Sequence, residues 1–380
     1  MNRIKEKFYF EDGITYLNHG SYGACPKAIF ENYQQWQFKL EKQPVNFFTD
    51  ELYTALKDSR IALSEFLGCY QDEILFFQNP TTAVSNIIYN LNLDSNDEIL
   101  MTDHEYGALV RAWHAWSDKR NIRIKYAKIK LPLVSEDEFV RDFCKQISLK
   151  TKVIFISQIT SPTGLVLPIK KIIQFAKEKN ILTIVDGAHV PGHIDLNIHS
   201  LGCDFYTGAL HKWLCGPKGT SFLYVHKKHQ NWIKPVIYSW GKNGNDPESS
   251  EFLQDFQWQG TRDMSAFLTI PKIIEFFKSD LKDSQYHSKK LIQSSYEKFQ
   301  NILESDSISI GKKFLGQMVS HPLPVNVNKN IKKILWEDYR IEIPIFEWNN
   351  MKFIRLSIHI YNDEKDIDSL MNALKSIFLN

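Results

Sequence analysis

Two short segments carry the residue types needed for covalent chemistry on an amine. They are VDGAH at 185–189 and TGALHKW at 207–213. An amine such as that of Lys212 can hold an aldehyde as a Schiff base. A carboxylate such as Asp186 can keep a proton on a ring nitrogen and make that ring an electron sink. His211 adds a donor beside the lysine. Taken singly, a lysine is mostly a solvated surface residue and an aspartate a turn former. The pair acquires a chemical meaning when one sheet brings both to the same crevice.

An anionic group on such a ring needs its own donors. In NPTTA (79–83), Asn79 suits an N-cap and Pro80 the first helical position. Thr81, Thr82 and Ala83 then fall in a first turn whose free N–H groups and positive dipole end favour an anion. Read alone, the segment is an ordinary capped helix. The sequence has no G-x-G-x-x-G or Walker-type loop, which argues against a nucleotide.

The elements around these residues alternate. VIFIS (153–157) is a β-branched run, PIKKIIQFAKEKN (168–180) an amphipathic helix, and ILTIVDGAH (181–189) the next strand. CDFYTG (203–208) and TSFLYVH (220–226) follow as further strands. This pattern predicts a parallel sheet covered by helices. Ligands in such sheets sit beyond the carboxyl ends of the strands, so the site is expected just after 157, 185 and 207. Upstream, 27–41 and 50–67 read as amphipathic helices. Downstream, 264–280 is apolar at helical spacing and leads into a second lobe. In that lobe FIRLSIHI (353–360) reads as a strand and 363–378 as a closing helix.

A chain of 380 residues suits two lobes better than one core. Its 46 basic and 44 acidic side chains nearly cancel, which gives no reason to expect nucleic acid or an anionic membrane as a partner. No segment has the ~20 apolar residues of a membrane span, and the first residues show no secretory leader pattern. The five cysteines lack CxxC spacing and fit a reducing compartment, so no disulfide framework or metal site is expected. Cytoplasm is the expected location.

In chain order the sequence shows YLNHGSYGACP, NPTTA, TDHEYGALVRAW, VDGAH, HKWLCGPKG, QGTRDMSA and IRLSIHIYN. This series resembles the class V aminotransferase family of pyridoxal 5′-phosphate (PLP) enzymes, and within it the isopenicillin N epimerase-like branch. The resemblance runs from about residue 14 to 375. It implies an α/β fold of the PLP-dependent transferase type (fold type I). A large domain, 26–265, would hold a mainly parallel seven-stranded sheet between helices. A smaller α+β domain would span 266–380, and an N-terminal segment, 1–25, would lie near the site.

The resemblance also implies roles. Lys212 would carry the cofactor's aldehyde, and Asp186 would pair with the pyridine nitrogen. His189 would lie by the ring and its phenolic oxygen, with Gln158 near the same oxygen. Thr81, Thr82 and His211 would hold the phosphate. Tyr106, or else His104, would stack on the ring. Thr261 would reach the phosphate of the other subunit, which implies a homodimer. Arg355 would clamp the α-carboxylate of an amino-acid substrate in two-pronged fashion, and Asn18 and His19 would face that substrate. One departure stands out: many relatives carry Ser or Asn where this chain has Ala209, so a phosphate donor is missing unless Thr207 replaces it.

Such enzymes share a first step, removal of the α-proton, and then diverge. Epimerisation and carbon–sulfur β-elimination are the expected outcomes, with transamination or cysteine desulfuration as alternatives. Desulfuration needs a thiolate on a loop before the substrate arginine, and no cysteine lies between Phe314 and Arg355. Tyr22, Trp113, Tyr238, Trp240 and Trp258 are candidates to contact a bulky side chain. A non-catalytic binding protein on the same fold is the reading from another class.

Overall fold

The computed structural model describes residues 4–242 and 248–379. Strand β1 is Thr15–Tyr16. Strands β2 (Ile74–Phe77), β3 (Glu98–Thr102), β4 (Arg123–Ala127), β5 (Thr151–Ser157), β6 (Leu182–Asp186), β7 (Phe205–Ala209) and β8 (Ser221–Val225) form one seven-stranded sheet. Its order is β2-β8-β7-β6-β5-β3-β4. Only β8 runs against its neighbours, and the other pairings are parallel.

The apolar runs form central strands because both faces are covered. Along β5, Val153 and Phe155 join one apolar cluster while Ile154 and Ile156 join the other. The same alternation runs through β6, where Ile184 lies on the first face and Val185 on the second. Helices Pro80–Asn90 and Gly107–Ser117 cover the first face, and Ile169–Glu178 the second. The predicted helix over 168–180 begins at Ile169 because Pro168 stands outside it, at ψ 63°. Helix 50–67 starts later than predicted, at Leu52, and a π-helical turn over Phe47–Glu51 precedes it.

The C-terminal strands are β9 (Met318–Pro322), β10 (Ile341–Glu342), β11 (Ile345–Trp348) and β12 (Met351–Ser357). Strands β11, β12 and β9 form an antiparallel sheet. Strand β10 instead pairs in parallel with β1, so the N-terminal segment is tied to the C-terminal part of the chain. Asn349 and Asn350, at φ 50° and 60°, make the tight turn of the β11–β12 hairpin. The expected strand over 353–360 stops at Ser357, and Glu364–Leu379 forms the final helix.

Candidate active site

The carboxyl ends of β3, β5, β6 and β7 open into a cavity of about 810 Å³, closed on the far side by Pro344–Trp348 and Arg355. Lys212, Asp186, His189, His211, Thr81, Thr82, Tyr106 and Arg355 all line it. The sheet explains this placement. Asp186 is the last residue of β6, and Lys212 follows β7 by three residues. Parallel pairing therefore puts both at one end of the sheet.

Lys212 is half-buried, with Nζ 3.2 Å from Nε2 of His189. Burial, together with the nearby Arg355 charge, lowers its pKa to about 8. Burial also holds His189 well below the usual imidazole range. Trp213 Nε1 donates to His189 Nδ1 at 3.4 Å, which leaves the ring proton of the neutral imidazole on Nε2, facing the lysine. Asp186 accepts from the Ala188 N–H through Oδ1 at 2.8 Å. Burial raises its pKa, and the charge of Lys212 opposes the rise. Among the described residues no cation is in direct contact with Asp186, so this buried carboxylate at the cavity wall would suit a protonated ring nitrogen.

Asn79 caps the helix Pro80–Asn90, its Oδ1 accepting from Thr82 N at 2.9 Å. The hydroxyl of Thr82 is also committed, donating to Asn79 O at 2.9 Å, so Thr81 is the freer donor of the two. His211 Nδ1 donates to Thr220 O at 3.1 Å, and burial lowers its pKa to about 4. A phosphate placed there would supply the missing counter-charge. These groups fit PLP: a half-buried amine, a carboxylate on the cavity wall, and a helix N-terminus whose Thr81 lines the same cavity as His211.

Arg355 sits on β12. Nη1 donates to Ser161 O at 2.8 Å and Nη2 to Ser21 Oγ at 3.0 Å, while its buried Nε has no partner. Burial lowers the arginine's pKa to about 10. Arg355 lines the cavity, and a guanidinium there is a carboxylate-binding feature.

Several expected residues lie elsewhere. Gln158 does not line the cavity; its Oε1 accepts from the hydroxyl of Tyr206 at 2.8 Å. The period-2 alternation of β5 puts Ser157, not Gln158, on the Asp186 face, and Ser157 lines the cavity. Thr207 does not replace the donor missing at Ala209, because its hydroxyl donates to Phe222 O at 2.7 Å and stays buried in the sheet. His19 does not face the cavity. It is fully buried, bonded to Tyr361 and to Lys212 O. Asn18 Nδ2 donates to Glu342, and Gly20, Ser21 and Tyr22 line the cavity instead. His104 is buried behind the wall with its ring against the cavity-lining Trp348, and Tyr106 is on the lining itself. Thr261 is exposed and outside this chain's cavity.

Of the aromatic residues singled out, Tyr22 alone reaches the cavity. Trp113 is core, Trp258 packs on Phe48, and Tyr238 and Trp240 are exposed. Phe346 and Trp348 were missed, because hairpin alternation alone does not reveal what its apolar face covers. Glu105 was missed as well. It is a buried carboxylate on the cavity wall, and its signal was the acidic residue just before Tyr106 in a strand-end loop. None of the five cysteines lines the cavity. His19, Cys215 and His359 form a buried group with ligand-type atoms within 4.8 Å of one another. Both imidazole Nε2 atoms are turned to backbone carbonyls, of Lys212 and Trp213.

The sheet order and this cavity define a PLP-dependent enzyme of fold type I. The aminotransferase class-V family model matches residues 24–370, and the chain belongs to that family. It is 28% identical to isopenicillin N epimerase of Amycolatopsis lactamdurans, an alignment covering 98% of this chain and 97% of that one. It is 27% identical to a probable chloroplastic L-cysteine desulfhydrase of Arabidopsis thaliana, covering 99% and 86%. Hercynylcysteine sulfoxide lyase of Schizosaccharomyces pombe is 24% identical, covering 98% and 97%. Among solved structures, the cystine C–S lyase C-DES with cysteine persulfide superposes with a TM-score of 0.83 at 21% identity, covering 96% and 98%. A C-DES mutant with glycine covalently linked to the PLP cofactor reaches 0.86 at 20%, covering 98% and 99%.

Proposed function

We propose that this enzyme is a carbon–sulfur lyase that removes the α-proton of a sulfur-bearing amino acid and expels the β-sulfur. The observation that carries the reading is one half-buried amine, Lys212, in a cavity that Asp186 and Arg355 also line. PLP supplies an electron sink for the α-carbon. The rest falls to the chain. Arg355 anchors the carboxylate, so the α-carbon is fixed relative to Lys212. Lys212, with its pKa near 8, has a free base available close to neutral pH and takes the α-proton on Nζ. The same ammonium then protonates the departing sulfur. Asp186 would keep a ring nitrogen protonated, and Tyr106, Ser157 and His189, which line the same cavity, would surround the ring. Thr81 and His211 would hold the phosphate, with Thr82 supporting the turn through its Asn79 bonds. The 26–265 part binds the cofactor and 266–380 contributes Arg355.

For L-cysteine the balance is cysteine plus water giving pyruvate, ammonia and sulfide. Desulfuration is disfavoured because no thiol lines the cavity. Epimerisation is the second reading. It needs a proton donor on the face opposite Lys212, and the phenol of Tyr106 at the wall is the group that favours it.

The enzyme works as a cytoplasmic homodimer in this reading, with Thr261 reaching the partner's phosphate site. Exposed Thr261 and the exposed apolar run Val236, Ile237, Tyr238 and Trp240 support an interface. Among the described residues no helix is long and apolar enough to cross a membrane. Incubation with L-cysteine, L-cystine and cysteine-conjugate sulfoxides tests the reaction. Equal release of pyruvate and ammonia is expected. Inversion of the α-carbon without pyruvate would select the second reading, and no product from any of them would reject both.

A further inference from the structure

Glu105 is a second carboxylate in the cofactor cavity, and its bonds are unusual. Its Oε1 accepts from Thr102 Oγ1 at 2.6 Å and Thr102 N at 3.3 Å. Its Oε2 accepts from Ser157 Oγ at 2.5 Å and Ser157 N at 2.9 Å. One side chain therefore ties the end of β3 to the end of β5, and both its neighbour Tyr106 and its partner Ser157 line the cavity. Two backbone N–H groups and two hydroxyls converge on this buried carboxyl, and these bonds favour its charged form.

We propose that Glu105 is a positioning residue of the cofactor pocket, which fixes Ser157 and Tyr106 on its wall and places a second negative charge beside Asp186 that favours protons at the Lys212–cofactor linkage. The ionisable and charged groups around it are Asp186 on β6, Tyr126 on β4, Asp103, His104 and Tyr106 in its own loop, and Lys212, His189, His211, Glu347 and Arg355 around the cavity. Burial raises Glu105 to about 7, the Ser157 and Thr102 hydrogen bonds pull it down, and Asp186 adds to the rise. Above neutral pH the group is charged, and its field favours protonation of the nearby nitrogen.

The inference rests on PLP binding at Lys212, which the visible band of the wild-type protein checks separately. The test is the pH midpoint at which that band changes in the PLP-loaded protein, measured without substrate. Glu105→Gln removes the charge at nearly constant shape, and its midpoint is expected to fall by about half a pH unit or more. Glu105→Asp retains the charge and should stay closer to wild type. Ser157→Ala deletes the shortest bond to the carboxylate, raises its proton affinity and should shift the midpoint the same way by less. Should Glu105→Gln fail to accumulate folded, Ser157→Ala decides alone. A midpoint equal to wild type in a folded, PLP-loaded Glu105→Gln protein, or in Ser157→Ala where only that variant folds, overturns the proposal.

Discussion

Nε2 of His19 lies 2.9 Å from the carbonyl oxygen of Lys212, while its Nδ1 lies 2.7 Å from the hydroxyl of Tyr361. Burial keeps this imidazole well below its usual pKa, so it is neutral, donating to the carbonyl and accepting from the phenol. The N-terminal segment thereby grips the backbone of the candidate catalytic lysine. Two residues later, Ser21 accepts from Arg355. One short stretch sets the amine and the carboxylate anchor relative to each other.

His19→Leu removes one of the two donors to the Lys212 carbonyl, which keeps the Cys215 N–H, and leaves the Tyr361 hydroxyl buried without its imidazole partner. A loss of about 1–3 kcal/mol is expected in urea unfolding. PLP affinity, read by titrating the visible band, should fall with it. Unchanged stability and affinity would contradict this role.

Gly23 has φ +68°, and a Cβ there would sit 2.0 Å from His211 O. Gly23→Ala should therefore displace the loop that carries Lys212 and weaken PLP binding, beyond the ordinary strain of a left-handed alanine. Equilibrium dialysis of PLP against the folded variant is the check.

Ser21→Ala removes one of the two acceptors that orient Arg355. The Michaelis constant for the amino acid should rise about 3–10-fold, the scale of one hydrogen bond, with kcat nearly unchanged. Arg355→Lys should cost more, because an ammonium cannot reproduce the guanidinium fork. Steady-state kinetics on both variants separates the two effects.

Lys212 must be unprotonated to attack the cofactor's aldehyde. Its pKa is lowered to about 8, so the rate at which the apoenzyme takes up PLP should rise with pH and reach half its plateau near pH 8. A half-point near the ordinary lysine value would show that the amine is solvated.

Gln158→Ala should leave the visible spectrum of the bound cofactor as in wild type. It removes the partner of Tyr206 and should cost about 1 kcal/mol of stability. A displaced absorbance band would return Gln158 to the site.

The sheet was legible because apolar runs such as VIFIS and ILTIV must be covered on both faces, and that demand writes itself into local composition. Asp186 and Lys212 were legible for the related reason that polar residues ending such runs have one place to go. Gln158 and Ser157 show where adjacency misleads. They are neighbours in sequence, yet strand alternation sends them to opposite faces. His19 was misplaced because its partners, Lys212 and Tyr361, lie 193 and 342 residues away and meet it only in the folded chain. The same holds for Glu105, whose bond to Ser157 spans 52 residues across neighbouring strands.

The central claim is a covalent link between Lys212 and PLP in a cavity that also presents Asp186. Borohydride reduction of the PLP-loaded protein, followed by peptide mass analysis, tests it directly. The account predicts a single phosphopyridoxyl adduct on Lys212, absent in Lys212→Ala. A yellow protein whose adduct maps to another lysine, or a colourless one with no adduct after PLP is supplied, would contradict it.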